Sequence, residues 1–200
     1  MKTADVKKIR KKMEKTLDAK RFEHTLGVAY TASALAMCHG EDINKAMIAG
    51  LLHDCAKCID NEKKIMICEK HNIPINEVER KNPFLLHAKV GSYMAMKRFN
   101  VHDPDVINAI LNHNTGRPGM SLLEKIIYVA DYIEPGRRQA PDLPMLRKLA
   151  FQDLDQGLLR ILEDTLHYLK GSEMPIDNMT QRTYDYYILS DKRRKQNDRA

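Results

Sequence analysis

Apolar residues recur at three- and four-residue intervals along most of this chain, and that spacing commits it to helices. Val6, Ile9, Met13 and Leu17 predict a basic amphipathic helix over 3–18. Phe22, Leu26, Ala29, Ser33 and Ala36 predict a second over 21–39, stopped by Gly40. A third, over 42–58, carries the small residues Ala46, Ala49 and Gly50, which admit a close neighbour. Shorter helices are expected at 60–71 and 84–99, with a turn-rich passage over 72–83. Pro104 opens another that runs to His113. Ser121 and Glu124 have the spacing of a capping box for a helix that Pro135-Gly136 ends. Helices around 144–151 and 153–170 complete the body. Residues 171–183 read as irregular, 184–189 as a last short helix, and 190–200 as a frayed tail. No stretch alternates apolar and polar residues as a half-buried strand does. The expected class is therefore all-α, a helical bundle. Two hundred residues suffice for one core without disulfides. We expect a single domain over 1–200, with a core at about 18–170 and a basic N-terminal helix and C-terminal tail appended.

Composition removes several function classes. Apolar residues are 43% and charged residues 30% of the chain, which is the balance of a globular protein rather than a disordered one. Nothing approaches the roughly 18 apolar residues of a membrane span, and the charged start lacks the apolar centre of a leader. A cytoplasmic protein is expected. Cys55 and Cys58 form a lone Cys-x-x-Cys, which with Cys38 and Cys68 is read as reduced thiols rather than a redox or zinc site. The formal charge of +6 comes partly from Lys7, Lys8, Arg10, Lys11, Lys12 and Lys15 and from Lys192, Arg193, Arg194 and Lys195. These are solvated helix faces, or else they draw in an anion such as a nucleotide, RNA or the ribosome. No aromatic residues interleave them for base stacking.

The chemistry gathers at Gly50-Leu51-Leu52-His53-Asp54-Cys55-Ala56-Lys57, where a histidine and an aspartate adjoin at the end of an apolar helix. His24 and Asp131 also lie in predicted core helices. An ionised aspartate among Ile126, Ile127 and Ala130 is costly to bury unless a cation or strong donors meet it. Taken singly, each has a plain alternative: a core or surface histidine at His24, an Asp131 paired with lysine, a His87 at a solvent-facing helix start. Together, two imidazoles and two carboxylates make a mixed nitrogen and oxygen site suited to iron, manganese or zinc. His87 and His113 either bind a second ion or donate to phosphate oxygens. His39, His71, His102 and His167 are read as structural.

The order His24…His53-Asp54…Asp131 resembles that of the metal-dependent HD-domain phosphohydrolases, over roughly residues 18–170. Longer strings resemble the YqeK-type members of that superfamily. They are Arg21-Phe22-Glu23-His24-Thr25-Leu26-Gly27-Val28, then His113-Asn114-Thr115-Gly116-Arg117-Pro118-Gly119-Met120-Ser121, then Tyr128-Val129-Ala130-Asp131-Tyr132-Ile133-Glu134-Pro135-Gly136-Arg137. The resemblance implies an HD-domain helical bundle and symmetrical hydrolysis of diadenosine tetraphosphate to two ADP, with iron (Fe2+ or Fe3+) at the centre. Two positions depart from the pattern. Cys55 stands where relatives carry a bulky residue, and Cys58 lies near the site too, which together predict sensitivity to oxidation. Asp177-Asn178-Met179-Thr180 replaces a His-Pro-x-Thr string, of which Thr180 alone still matches.

Symmetrical cleavage requires a nucleophile at a central phosphorus, and a metal supplies one by activating water. His24, His53, Asp54 and Asp131 are expected to hold the metal, with Asp54 also orienting the water. Lys57, one helical turn beyond His53, and Arg117, on its Gly116-Thr115 loop, are expected to face phosphate. His87 and His113 assist the chemistry, and Arg21 and His24 contact substrate. Arg137 is a further phosphate candidate or a solvated loop residue. Glu134 is assigned to a ribose hydroxyl or a lysine, and Thr180 to the nucleotide. The same core also suits a nucleotidase or a cyclic-dinucleotide phosphodiesterase, and a non-catalytic nucleotide- or RNA-binding module is the reading from another class. The outer apolar faces pack internally or against a second copy, as a homodimer.

Overall fold

The computed structural model describes residues 5–171 and 177–197, and every regular element among them is helical. In chain order these are α1 (Val6–Thr16), α2 (Ala19–His39), α3 (Ile43–Leu52), α4 (Asn61–Lys70), α5 (Glu77–Lys81) and a 3-10 turn (Pro83–Leu86). There follow α6 (His87–Phe99), α7 (Pro104–Asn112), α8 (Leu122–Ile133), α9 (Leu143–Gln152), α10 (Leu154–Gly171) and α11 (Asn178–Asn197). Side-chain caps start most of them. Asp18 accepts from Arg21 N at 2.8 Å, and the Ser121/Glu124 box forms as expected. Gly40, at φ +79°, ends α2 in the left-handed conformation that favours glycine.

The centre is built from α2, α3, α7 and α8, with α6 against α7, α9 and α10 against α8, and α1 against α3. Gly50 sets the closest approach: a Cβ there would lie 2.6 Å from Ala29 Cα, so α2 and α3 touch backbone to backbone. No helix among the described residues is long and apolar enough to cross a membrane.

Two expectations are corrected. The helix predicted over 42–58 ends at Leu52. The chain then tightens into three-residue turns, with Cys55 N donating to Leu52 O and Lys57 N to Asp54 O. The second correction is at the C-terminus, where 178–183 and 190–197, read as irregular chain and frayed tail, belong to one helix. Its inward stripe is Thr180, Thr183 and Tyr187, continued by Asp191 and Arg194. Tyr187 accepts a hydrogen bond from Met120 N at 2.9 Å, Gln156 donates to Asp191 at 2.5 Å, and Arg194 pairs with Asp153 at 3.1 Å. A helix held by polar and aromatic residues escapes a search for apolar periodicity. The same ion pairs occupy part of the basic charge that the sequence offered to RNA, since Lys195 also pairs with Asp191 at 2.7 Å.

Cys55 is buried, and burial, reinforced by the Asp54 charge, pushes its thiol up to about 12. The oxidation sensitivity expected of it is thus opposed by the fold. At pH 8, a disulfide exchange reagent is expected to titrate the exposed Cys38 and Cys58 quickly, and the buried Cys55 and Cys68 only after unfolding. Gly50→Ala is expected to lower the urea midpoint at unchanged slope. The helix propensity gained, about 1 kcal/mol, is outweighed by overpacking against backbone, which costs about 1–3 kcal/mol.

Candidate metal centre

Four histidines and two aspartates from five segments meet on the inner side of α2, α3, α7 and α8. Three of the imidazoles are anchored in one way. His53 Nδ1 lies 2.7 Å from Gly50 O, His87 Nδ1 2.8 Å from Phe84 O, and His113 Nδ1 2.8 Å from Ile110 O. In each case the carbonyl is three residues earlier. Gly50 and Ile110 lie in the last turns of α3 and α7, where carbonyls lack an intrahelical partner. A carbonyl only accepts, so Nδ1 carries the proton and Nε2 of the neutral ring presents a lone pair. His24 is set from α8 instead: its Nδ1 lies 3.1 Å from Glu134 Oε1, and Glu134 also accepts from Gly136 N at 2.5 Å. Gly27 makes room for this carboxylate, since a Cβ there would meet Glu134 Oε2 at 2.5 Å.

The lone pairs converge on carboxylate oxygens. His24 Nε2 is 3.0 Å from Asp131 Oδ1, and His53 Nε2 is 3.5 Å from Asp54 Oδ2. Asp54 Oδ1 faces His87 Nε2 at 3.4 Å and His113 Nε2 at 3.6 Å, and those two nitrogens are 3.1 Å apart. Lone pairs facing anionic oxygens at this range repel unless a cation joins them. Among the described residues, His53 Nε2 and Asp54 Oδ1 are buried without a hydrogen-bond partner, the mark of a group meant for something else. Two triads, His24/His53/Asp131 and His53/Asp54/His113, each place their ligand atoms within 4.8 Å of one another. The residues therefore fit a divalent metal, with imidazoles oriented from behind as metal ligands usually are.

The electrostatics mark the same groups: a proton or a metal ion has to stand between these rings and carboxylates. Burial opposes charge on Asp54, yet the cationic groups around it, a protonated His53 first and Lys57 beside it, hold its carboxyl well below the usual range. Asp131 is lowered too, against burial, by His24 and His53 in their protonated forms. For His53 the burial penalty is exceeded by the Asp54 attraction, so its pKa rises. Burial and the neighbouring Lys57 and His113 charges push His87 far down.

Arg21 lies 2.8 Å from Asp54 Oδ2. Lys57 Nζ is 3.2 Å from His87 Nε2 and 3.8 Å from Asp54 Oδ1, reaching the site from a turn rather than from the helix expected there. Arg137, a solvated loop residue on one reading, instead donates to Asp131 O at 2.9 Å and faces Asp131 Oδ1 at 3.3 Å. His87 is fully buried rather than facing solvent.

Other assigned residues make their contacts away from the cluster. The Arg117 guanidinium forks into Glu124 at 2.7 and 2.6 Å. Glu124 is 1% exposed and needs that cation, so Arg117 is engaged there. Thr115 donates to Gly116 O, and a Cβ at Gly116 would lie 2.7 Å from Thr183 Cγ2. Thr180 is buried in α11. These residues join the loop after α7 to α11 and stand outside the cluster. Glu134 is spent on His24 rather than on a ribose. That role escaped the sequence, as did the three carbonyl anchors. The one available signal was the Asp131-x-x-Glu134 spacing, a single helical turn.

Two clefts open beside the cluster. One, of about 650 Å³, is bordered by His113 and Asp131 and lined by Tyr128, Tyr132, Asp164 and Tyr168. The other, of about 890 Å³, is bordered by Arg21 and His24 and lined by Lys20, Tyr30, Pro135 and Arg138. Arg137 and Gln139 line both.

Known proteins resemble this chain. A Bacillus subtilis protein named "Bis(5'-nucleosyl)-tetraphosphatase, symmetrical" is 40% identical over 176 residues, covering 88% of this chain and 94% of that one. A protein of the same name from Halalkalibacterium halodurans is 41% identical over 173 residues, covering 86% and 91%. A crystal structure from Clostridium acetobutylicum, described as a predicted HD superfamily hydrolase involved in NAD metabolism, matches with a TM-score of 0.89 at 42% identity, over 93% of this chain and 98% of that one. The family pattern of the HD domain matches residues 21–136. That span holds every imidazole and carboxylate of the cluster, with Arg21 and Lys57, and by it the chain belongs to the HD-domain family.

Proposed function

We propose that the chain hydrolyses diadenosine tetraphosphate at the middle of its phosphate chain, releasing two ADP. The observation that carries the reading is the set of four Nε2 lone pairs and two carboxylates, rimmed by Arg21, Lys57 and Arg137 and opening into two clefts. The names of the two bacterial relatives support the same reaction.

Within this reading His24, His53, Asp54 and Asp131 hold the ion. When bound, it supplies a water of lowered pKa and a Lewis acid for a phosphoryl oxygen. Iron is the ion we favour, in line with the family resemblance; manganese or zinc suits the same donors. Asp54 stays deprotonated and accepts the hydrogen bond that orients the attacking water. Lys57 and Arg21 balance the Asp54 charge and meet the charge that builds on the equatorial and leaving oxygens. The water oxygen bonds to one central phosphorus, and the bridging oxygen leaves with the second ADP. His87 and His113 both face Asp54 Oδ1, as ligands of a second ion or as donors to phosphate, the second role being opposed at His87 by the burial that keeps its ring neutral. We place the enzyme in the cytoplasm as one HD domain, its core at about 18–170, with α1 and α11 added.

Anaerobic turnover by protein reconstituted with ferrous iron, with products separated by chromatography, tests the reading. ADP is expected as the sole product. Asp131→Ala is expected to lose more than about 100-fold, beyond the cost of losing an outer partner. ATP with AMP would overturn the central attack. Glu134→Gln is expected to weaken metal retention against a chelator by about 10–100-fold, because the His24 ring loses its anionic partner.

A further inference from the structure

A substrate cut at its midpoint carries a nucleoside on each side of the reacting atoms. The metal cluster has a cleft on each side as well. The contact between His24 and Asp131, at 3.0 Å, forms the ridge between them: Asp131 borders the cleft of Tyr132 and Tyr168, and His24 borders the cleft of Tyr30. We propose that the Tyr30 cleft is a second nucleoside-diphosphate site, so that diadenosine tetraphosphate lies across the ridge with one half in each cleft. The proposal rests on the function argued above and adds to it the place of the second half.

Three observations carry it. The first is the composition of the cleft. Lys20, Glu23, Gly27 and Tyr30 form one stripe along α2, opposite Pro135 and Arg138. Tyr30 is 52% exposed, although aromatic rings are usually buried against something. An open aromatic ring beside lysine and arginine suits a base stacked on the ring with its phosphates on the cations. The second is size: about 890 Å³, comparable to the opposite cleft at about 650 Å³, so both fall in the range of small-ligand sites. The third is Arg137. It lines both clefts, and its Nε is buried without a hydrogen-bond partner among the described residues. Its NH2 group is already committed to Asp131. A guanidinium that lines both clefts and keeps a donor unpartnered suits a phosphate chain that passes from one cleft to the other.

Calorimetric titration with ADP tests the layout. The unaltered protein is expected to take up two ADP per chain, and Tyr30→Ala is expected to bind one of the two about tenfold more weakly, with Tyr30→Phe, which keeps the ring, restoring it. One ADP on the unaltered protein, or two ADP of unchanged affinity on Tyr30→Ala, would overturn the proposal. A kinetic comparison uses adenosine 5'-tetraphosphate, which has the same phosphate chain and a single nucleoside. The ratio of kcat/KM for diadenosine tetraphosphate to that for adenosine tetraphosphate is expected to fall about tenfold in Tyr30→Ala, the cost of one lost base stack, and to recover in Tyr30→Phe. An unchanged ratio would overturn it. The two readings fail separately. Two ADP bound without turnover of diadenosine tetraphosphate would sink the function and keep the cleft, whereas turnover with a single ADP site would sink the cleft and keep the function.

Discussion

The structure depends on a small exchange at helix ends. An α-helix leaves its last carbonyls unpaired, and here the imidazoles of His53 and His113 take up one each, three residues back. His87 Nδ1 likewise lies against Phe84 O in the 3-10 turn that precedes it, a carbonyl that the backbone N–H of His87 also reaches. The exchange closes the end of an element and sets the tautomer of a ring in one step. Three lone pairs are thereby aimed at Asp54 before any ion arrives. Preorganisation of this kind spares the cost of ordering side chains when the ion binds.

Helix packing does the rest. Gly50 brings α3 against Ala29 of α2, and Gly27 lets the Glu134 carboxylate slide in beside α2 to reach His24. Both glycines act by having no Cβ, one for a backbone and one for a carboxylate. The same close fit explains how an adjacent His-Asp pair serves a common centre. The helix stops at Leu52, and the three-residue turns that follow bring Asp54 and Lys57 to one side.

The sequence disclosed the helical class, the Ser121/Glu124 cap, the stop at Gly40 and the identity of the residues that converge. Those features rest on residue type and local spacing, which a sequence displays directly. The anchors of the histidines were hidden because every residue carries a carbonyl and nothing in the letters marks which ones are left unpaired. Arg117 misled for a related reason: a guanidinium next to a glycine suits phosphate, but the buried Glu124 seven residues on claims it. The last helix was read only over 184–189 because Thr180, Thr183 and Tyr187 bury polar or aromatic groups where an amphipathic pattern is expected to show aliphatic ones.

That last helix also bears on how the protein matures. The loop leaving His113 rests on it: Gly116 lies under Thr183, and Met120 N donates to Tyr187, 67 residues further along the chain. Every metal-binding side chain has therefore been synthesised well before the loop that follows His113 has its support. On the ribosome, where chains fold from the N-terminus as they emerge, the nascent protein carries all its ligands while one wall of the centre is still without its brace. The wall around the loop after His113 is thus complete only once the chain has been made through Tyr187.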